Sequence, residues 1–151
     1  MRRIKEIIKL HYLIFIFAFL LNLLWEYLHE PLYITTMVHD LFGFLYMAAA
    51  DGLLVLLIYW IVCLQARTFF WLSDWKKQLV LIIISGIFLS FFIEIKNMYF
   101  TSVWSYTAAM PVLPILHIGI SPVLQMVITP VLVFALAGFG YKLAKNPDFK
   151  S

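Results

Sequence analysis

Glu26, Asp51 and Glu94 each interrupt an apolar run with a carboxyl group. A carboxyl in low-dielectric surroundings can hold a proton near neutral pH and act as a general acid or base. Polar company surrounds these acids at helical spacing. Asn22 precedes Glu26 and His29 follows it. Gly86, Ser90 and Asn97 accompany Glu94, and Ser121, Gln125 and Thr129 form a further series. Spacings of three and four residues put each set on one helix face. Asp51 sits among Ala48, Ala49, Ala50 and Gly52, small residues that let a neighbouring helix come close.

Acids plus aromatic faces suit reactions that pass through a cation, because ring faces attract positive charge. Glu26, Asp51 and Glu94 are the candidate catalytic acids or bases. Asn22, Trp25, Asn97, Trp104, Tyr106 and Gln125 are the candidate substrate-binding residues. An isomerase, cyclase or hydratase acting on an isoprenoid or other lipid-soluble substrate would need such a set, and it needs no cofactor. A second reading is a metal site built from Glu26, His29, Asp51 and Glu94. Glu26-x-x-His29 has the i, i+3 spacing of carboxylate-bridged metal sites in bundles, and His39 or His117 could complete the shell. A third reading is non-enzymatic: a transporter component, or an assembly partner in a membrane complex, since intramembrane acids also serve ion pathways.

The elements that must position these residues are membrane helices. Of 151 residues, 64% are hydrophobic and 13% charged, about half the charge an ordinary soluble domain carries. One domain, residues 1–151, is expected. Four runs reach the roughly 20 residues a helical span needs, at about 10–30, 42–64, 78–99 and 119–141. The net charge of +3 does not point to nucleic acid, because the basic residues flank the apolar runs. Ten of eleven Lys and Arg fall before span 1, between spans 2 and 3, or after span 4, with only Lys96 elsewhere. Both termini are therefore expected in the cytoplasm. The first run ends in Trp25-Glu26-Tyr27 with no small-residue cleavage pattern, so it is expected to be a retained helix. The lone Cys63 leaves no internal disulfide.

With that topology the site acids fall in the half away from the cytoplasm. A charge at the bilayer centre costs about 2.5–3.5 kcal/mol on insertion scales. Turning the polar stripes inward avoids that cost and gives an all-α, integral membrane four-helix bundle with an outward-facing cavity. Glu26, Glu30 and His29 have an alternative place at headgroup level, simply solvated. Residues 98–118 are too apolar for a solvated loop and too broken by Pro111 and Pro114 for a span. A lid or re-entrant segment over the cavity is expected, with Trp104 and Tyr106 at its mouth or in an interfacial aromatic belt. Pro122 and Pro130 fall within span 4 and are each expected to remove a helix hydrogen bond. The expected partners are the lipid bilayer, a hydrophobic small molecule, and a second copy or another membrane protein.

The pattern Trp25-Glu26-x(4)-Pro31-Leu32-Tyr33, Ala50-Asp51, Trp104-x-Tyr106, Met110-Pro111 and Gly119-x-Ser121-Pro122-x-x-Gln125 resembles a family of small bacterial polytopic membrane proteins. The resemblance covers most of the chain and implies the bacterial inner membrane and a site at these residues, without naming a reaction. Many relatives have His five residues before the Asp, where this chain has Tyr46, which counts against a metal there. Small carotenoid cyclases and hydratases are more loosely similar, in a Glu followed by W-x-Y. Their P-x-E-E motif is missing here.

Overall fold

Backbone groups in an apolar run find no partners except one another, and the helix satisfies them within the segment. In the computed structural model, which describes residues 2–35 and 40–145, these runs form α1 (Arg2–His29), α2 (Leu41–Ala66), α3 (Leu79–Ile95) and α4 (Ile120–Lys145). The fold is an all-α four-helix bundle, and four helical stretches are long and apolar enough to cross a membrane. Their outer faces carry exposed Leu20, Leu24, Leu57, Phe88, Phe92 and Phe139.

The helices reach beyond the expected spans. α1 begins at Arg2, and α3 continues through one π-helical turn, Lys96–Phe100. Asp40 caps α2, its carboxylate accepting from the Gly43 N–H at 2.8 Å. That bond occupies an orphan amide of the first turn, so Asp40 serves the helix end. Pro122 costs α4 nothing, contrary to expectation. It lies in the first turn, where the N–H has no intrahelical partner to lose. Pro130 alone is interior.

At one end of the bundle, the segment Trp71–Gln78 tucks Trp71 and Leu72 under the helices. Phe70 stacks on Tyr141 there, and Arg3 lies over Phe70. This half is a dry core: Ile14, Ala18, Val55, Ile58, Val133 and Phe134 are fully buried. Tyr59 Oη donates to the Phe69 carbonyl there at 2.6 Å, while the nearby His11 Nε2 is buried without a partner among the described residues.

The other end is closed by a two-stranded antiparallel pair that the sequence did not suggest. β1 (Tyr33–Thr35) pairs with β2 (Trp104–Tyr106) in the register Tyr33 to Tyr106 and Thr35 to Trp104. The Thr107 N–H also donates to the Leu32 carbonyl at 3.0 Å. The segment between α3 and α4 is therefore a lid strapped to the loop after α1, with no re-entrant helix. Beyond β2 the chain makes a turn, with the Leu113 N–H donating to the Ile118 carbonyl at 2.8 Å, and returns to α4. Exposed His117 adopts positive φ in this turn.

Candidate functional site

The four helices share a polar layer just beneath the lid. The Asn22, Glu26 and His29 face of α1 meets the Ser121, Gln125 and Thr129 face of α4. His29 is hydrogen-bonded to the Ser121 hydroxyl. One turn deeper, Gln125 Nε2 faces three oxygens: Asp51 Oδ2 at 2.7 Å, Glu26 Oε1 at 3.0 Å and Asn22 Oδ1 at 3.1 Å. Three acceptors around one end of the amide fix which end is nitrogen. Asn22 is fully buried, and its own amide donates to the Ala18 carbonyl at 2.9 Å. Thr129 donates to the Gln125 carbonyl at 2.7 Å and steadies that turn of α4.

Glu26 and Asp51 thus meet on one amide nitrogen. Helix geometry explains their meeting. Gly52, next to Asp51, lies against Phe15 and the backbone of Phe19, where a Cβ would sit 3.1 Å from the Phe15 ring. The small-residue stretch thus brings α2 close to α1.

Glu94 is held separately, from above. Its Oε2 accepts from the Tyr106 hydroxyl and from Trp104 Nε1, the latter at 3.2 Å. The Tyr106 oxygen accepts in turn from the Gly119 N–H at 2.8 Å. The lid is therefore latched onto α3 through a carboxyl. Burial pushes the Tyr33 phenol up, with the nearby Glu94 adding to the shift. Burial and then the bond to Glu94 push the Tyr106 phenol up. Both rings stay protonated, and Tyr106 donates to Glu94.

Glu26, Asp51, Glu94 and Gln125 all line one cavity of about 500 Å³, within the usual range for ligand sites. Asn97 and Trp104 line it as well. Three candidate binding residues do not. Asn22 lies beneath the cavity and orients Gln125. Tyr106 holds Glu94. Trp25 turns away and packs edge-on against His29 with ring centroids 4.5 Å apart, its Nε1 buried and unpartnered. The metal set is not assembled either. His29 is drawn off to Ser121, and no three His, Cys, Asp or Glu side chains converge among the described residues. His117 is exposed on the lid turn, and His39 lies outside the described residues.

Tyr33 and Ser90 also line the cavity. Both stood in the sequence, Tyr33 as the end of the W-E-x(4)-P-L-Y pattern and Ser90 one turn from Glu94. Nothing local marked Tyr33 as a roof residue, because its position follows from the β1–β2 pairing across the bundle. The class that fold and site define is a small bundle of four membrane-length helices around a lidded, acid-lined cavity. Compared with known proteins, the chain matches no family model, no curated protein and no solved structure.

Proposed function

We propose that this chain is a multi-pass membrane protein with both termini in the cytoplasm, and that its cavity performs acid–base chemistry on a lipid-soluble substrate. The reaction would be of the isomerase, cyclase or hydratase type, on an isoprenoid or similar apolar molecule. One observation carries the reading: Glu26 and Asp51 converge on a single amide nitrogen in the cavity wall. An amide NH₂ supplies two hydrogens, and here it faces three oxygens. Two carboxylates crowded onto one amide nitrogen repel each other when both are ionised, and one proton held between them relieves that repulsion. The pair is thus a one-proton store, with one member able to donate and the other to accept. Glu94, anchored by Tyr106 and Trp104 on the α3 wall, is placed to steady positive charge that develops between the walls. The dry core beneath the cavity favours a dead-end reaction site over an ion path.

The test is the lipid content of cells lacking the native protein, complemented with wild type, Glu26→Gln or Asp51→Asn. Wild type is expected to deplete one lipid species and raise another. General acid–base catalysis contributes about 10²–10⁴-fold, so each variant should lose at least about a hundredfold in conversion while keeping insertion and melting temperature in detergent. Lipid profiles that do not differ between wild-type and null cells would remove the enzyme reading. Full conversion by folded Asp51→Asn would remove the acid pair from it.

A further inference from the structure

The cavity has a second opening that the lid does not cover. Tyr46, Ala50 and Leu53 of α2 line it, yet they are exposed on the outer face of the bundle, Tyr46 by 66% and Leu53 by 60%. They recur at intervals of four and three, beside Asp51, so one edge of α2 forms both the cavity wall and the bundle surface. α2 packs mainly on α1 and α3 on α4, while α2 and α3 touch sparingly. The gap between α2 and α3 is the opening. Two observations concern what fills it. Ser90 is 2% exposed, lines the cavity, and its hydroxyl finds no hydrogen-bond partner among the described residues. A buried hydroxyl without a partner is costly, so it calls for a polar atom from a ligand. The charged groups lining the cavity are four carboxyls, Glu26, Glu30, Asp51 and Glu94, against the single amine of Lys96. Carboxyls in low dielectric repel an anionic head strongly.

We infer that the cavity takes single-chain amphiphiles with an uncharged oxygen-bearing head, which enter sideways from the bilayer between α2 and α3. The head, a hydroxyl or carbonyl, bonds to Ser90 near Asp51. The chain passes between Tyr46 and Leu53 into the lipid. This rests on the reading of the cavity as a site for a lipid-soluble molecule, and it adds the route and the head chemistry.

The experiment uses the full chain in lipid nanodiscs with a long-chain primary alcohol carrying a photoreactive diazirine in its tail. A matched probe bears a carboxylate in place of the hydroxyl. Labelled peptides are mapped by mass spectrometry. The alcohol is expected to label residues 46–54 and 90–97 selectively, in competition with unlabelled alcohol, and at least tenfold more than the carboxylate probe. Ala50→Trp, which fills the opening from an exposed position, should cut that labelling at least fivefold. Phe139→Trp, on the outer face of α4 and away from the cavity, should keep it. Labelling spread evenly over outer-face residues such as Phe88 and Leu132 would overturn the sideways route, as would unchanged labelling in folded Ala50→Trp. Equal or stronger labelling by the carboxylate probe would overturn the uncharged head. These failures are separable from that of the proposed chemistry. A lost route with Asp51-dependent lipid conversion leaves the enzyme standing, and selective labelling without any conversion leaves a binding site.

Discussion

Glu94 shows how one carboxyl ties chemistry to architecture. It is buried at the outer end of α3, and its partners come from the lid, Tyr106 and Trp104. Hydrogen bonds to an ionisable partner contribute about 1.5–3 kcal/mol when the partner is charged. Tyr106→Phe removes the hydroxyl that donates to Glu94 and also accepts from Gly119, with little change in shape. The expected outcome is a loss of about 1–3 kcal/mol in detergent unfolding, with faster proteolysis in 107–117. An unchanged melting temperature and protease pattern would mean that the strand pairing alone holds the lid. At this scale the sequence was informative about which residues are polar and inward-facing, as Glu26, Asp51, Glu94 and Gln125 show. It was uninformative about partners. Trp25 sits beside Glu26 in the chain, but the helix turns it onto His29. Trp104 and Tyr33 reach the cavity from loops whose course no local spacing encodes.

The helices depend on close approach at a few small residues. At Gly86 of α3, an added Cβ would fall 2.0 Å from the backbone oxygen of Met126 on α4. Met126 adjoins Gln125, so this crossing sets the separation of the Ser90–Glu94 wall from the amide that holds the acid pair. In a free helix Gly→Ala stabilises by roughly 0.5–1 kcal/mol. Here the methyl must push two backbones apart, and overpacking costs about 1–3 kcal/mol. Gly86→Ala is therefore expected to lower the melting temperature and weaken conversion together. A variant as stable as wild type would show that the α3–α4 crossing is looser than drawn. The stripe Gly86, Ser90 and Glu94 was legible as one face. The pairing of that face with α4 was not, because periodicity shows that a face is inward without showing what it meets.

For the whole molecule, the two ends of the bundle differ, and the proposed orientation can be tested on that difference. The loop after α2 and the two helix termini share the dry end, and the lid shares the other with the cavity. In the proposed orientation, Arg67, Lys76 and Lys77 put the dry end on the cytoplasmic side, as the positive-inside rule requires. A cysteine placed at Ser73 in a Cys63→Ser background should react with membrane-impermeant maleimide only after the cells are opened. Labelling in intact cells would invert the orientation and turn the cavity toward the cytoplasm. Cys63→Ser is a mild change, since the buried thiol accepts from Trp71 Nε1 at 3.3 Å and a serine oxygen can do the same.

The sequence by itself determined the all-α class, the number of membrane-length helices and the inward face each acid occupies, because each of these follows from local composition and a 3.6-residue period. Apolar runs of that length must be helices, and polar stripes on them must turn toward one another. Only the tertiary structure decided that Glu26 and Asp51 share one amide while Glu94 belongs to the lid. It also decided that His29 pairs with Ser121 and so does not join a metal set. These outcomes depend on the relative rotation of helices and on a strand pair between residues some seventy positions apart in the chain. Rotation is set by where Gly52 and Gly86 let backbones meet, and strand pairing by hydrogen bonds that either segment would otherwise lack. Both are long-range conditions that no window of the sequence contains.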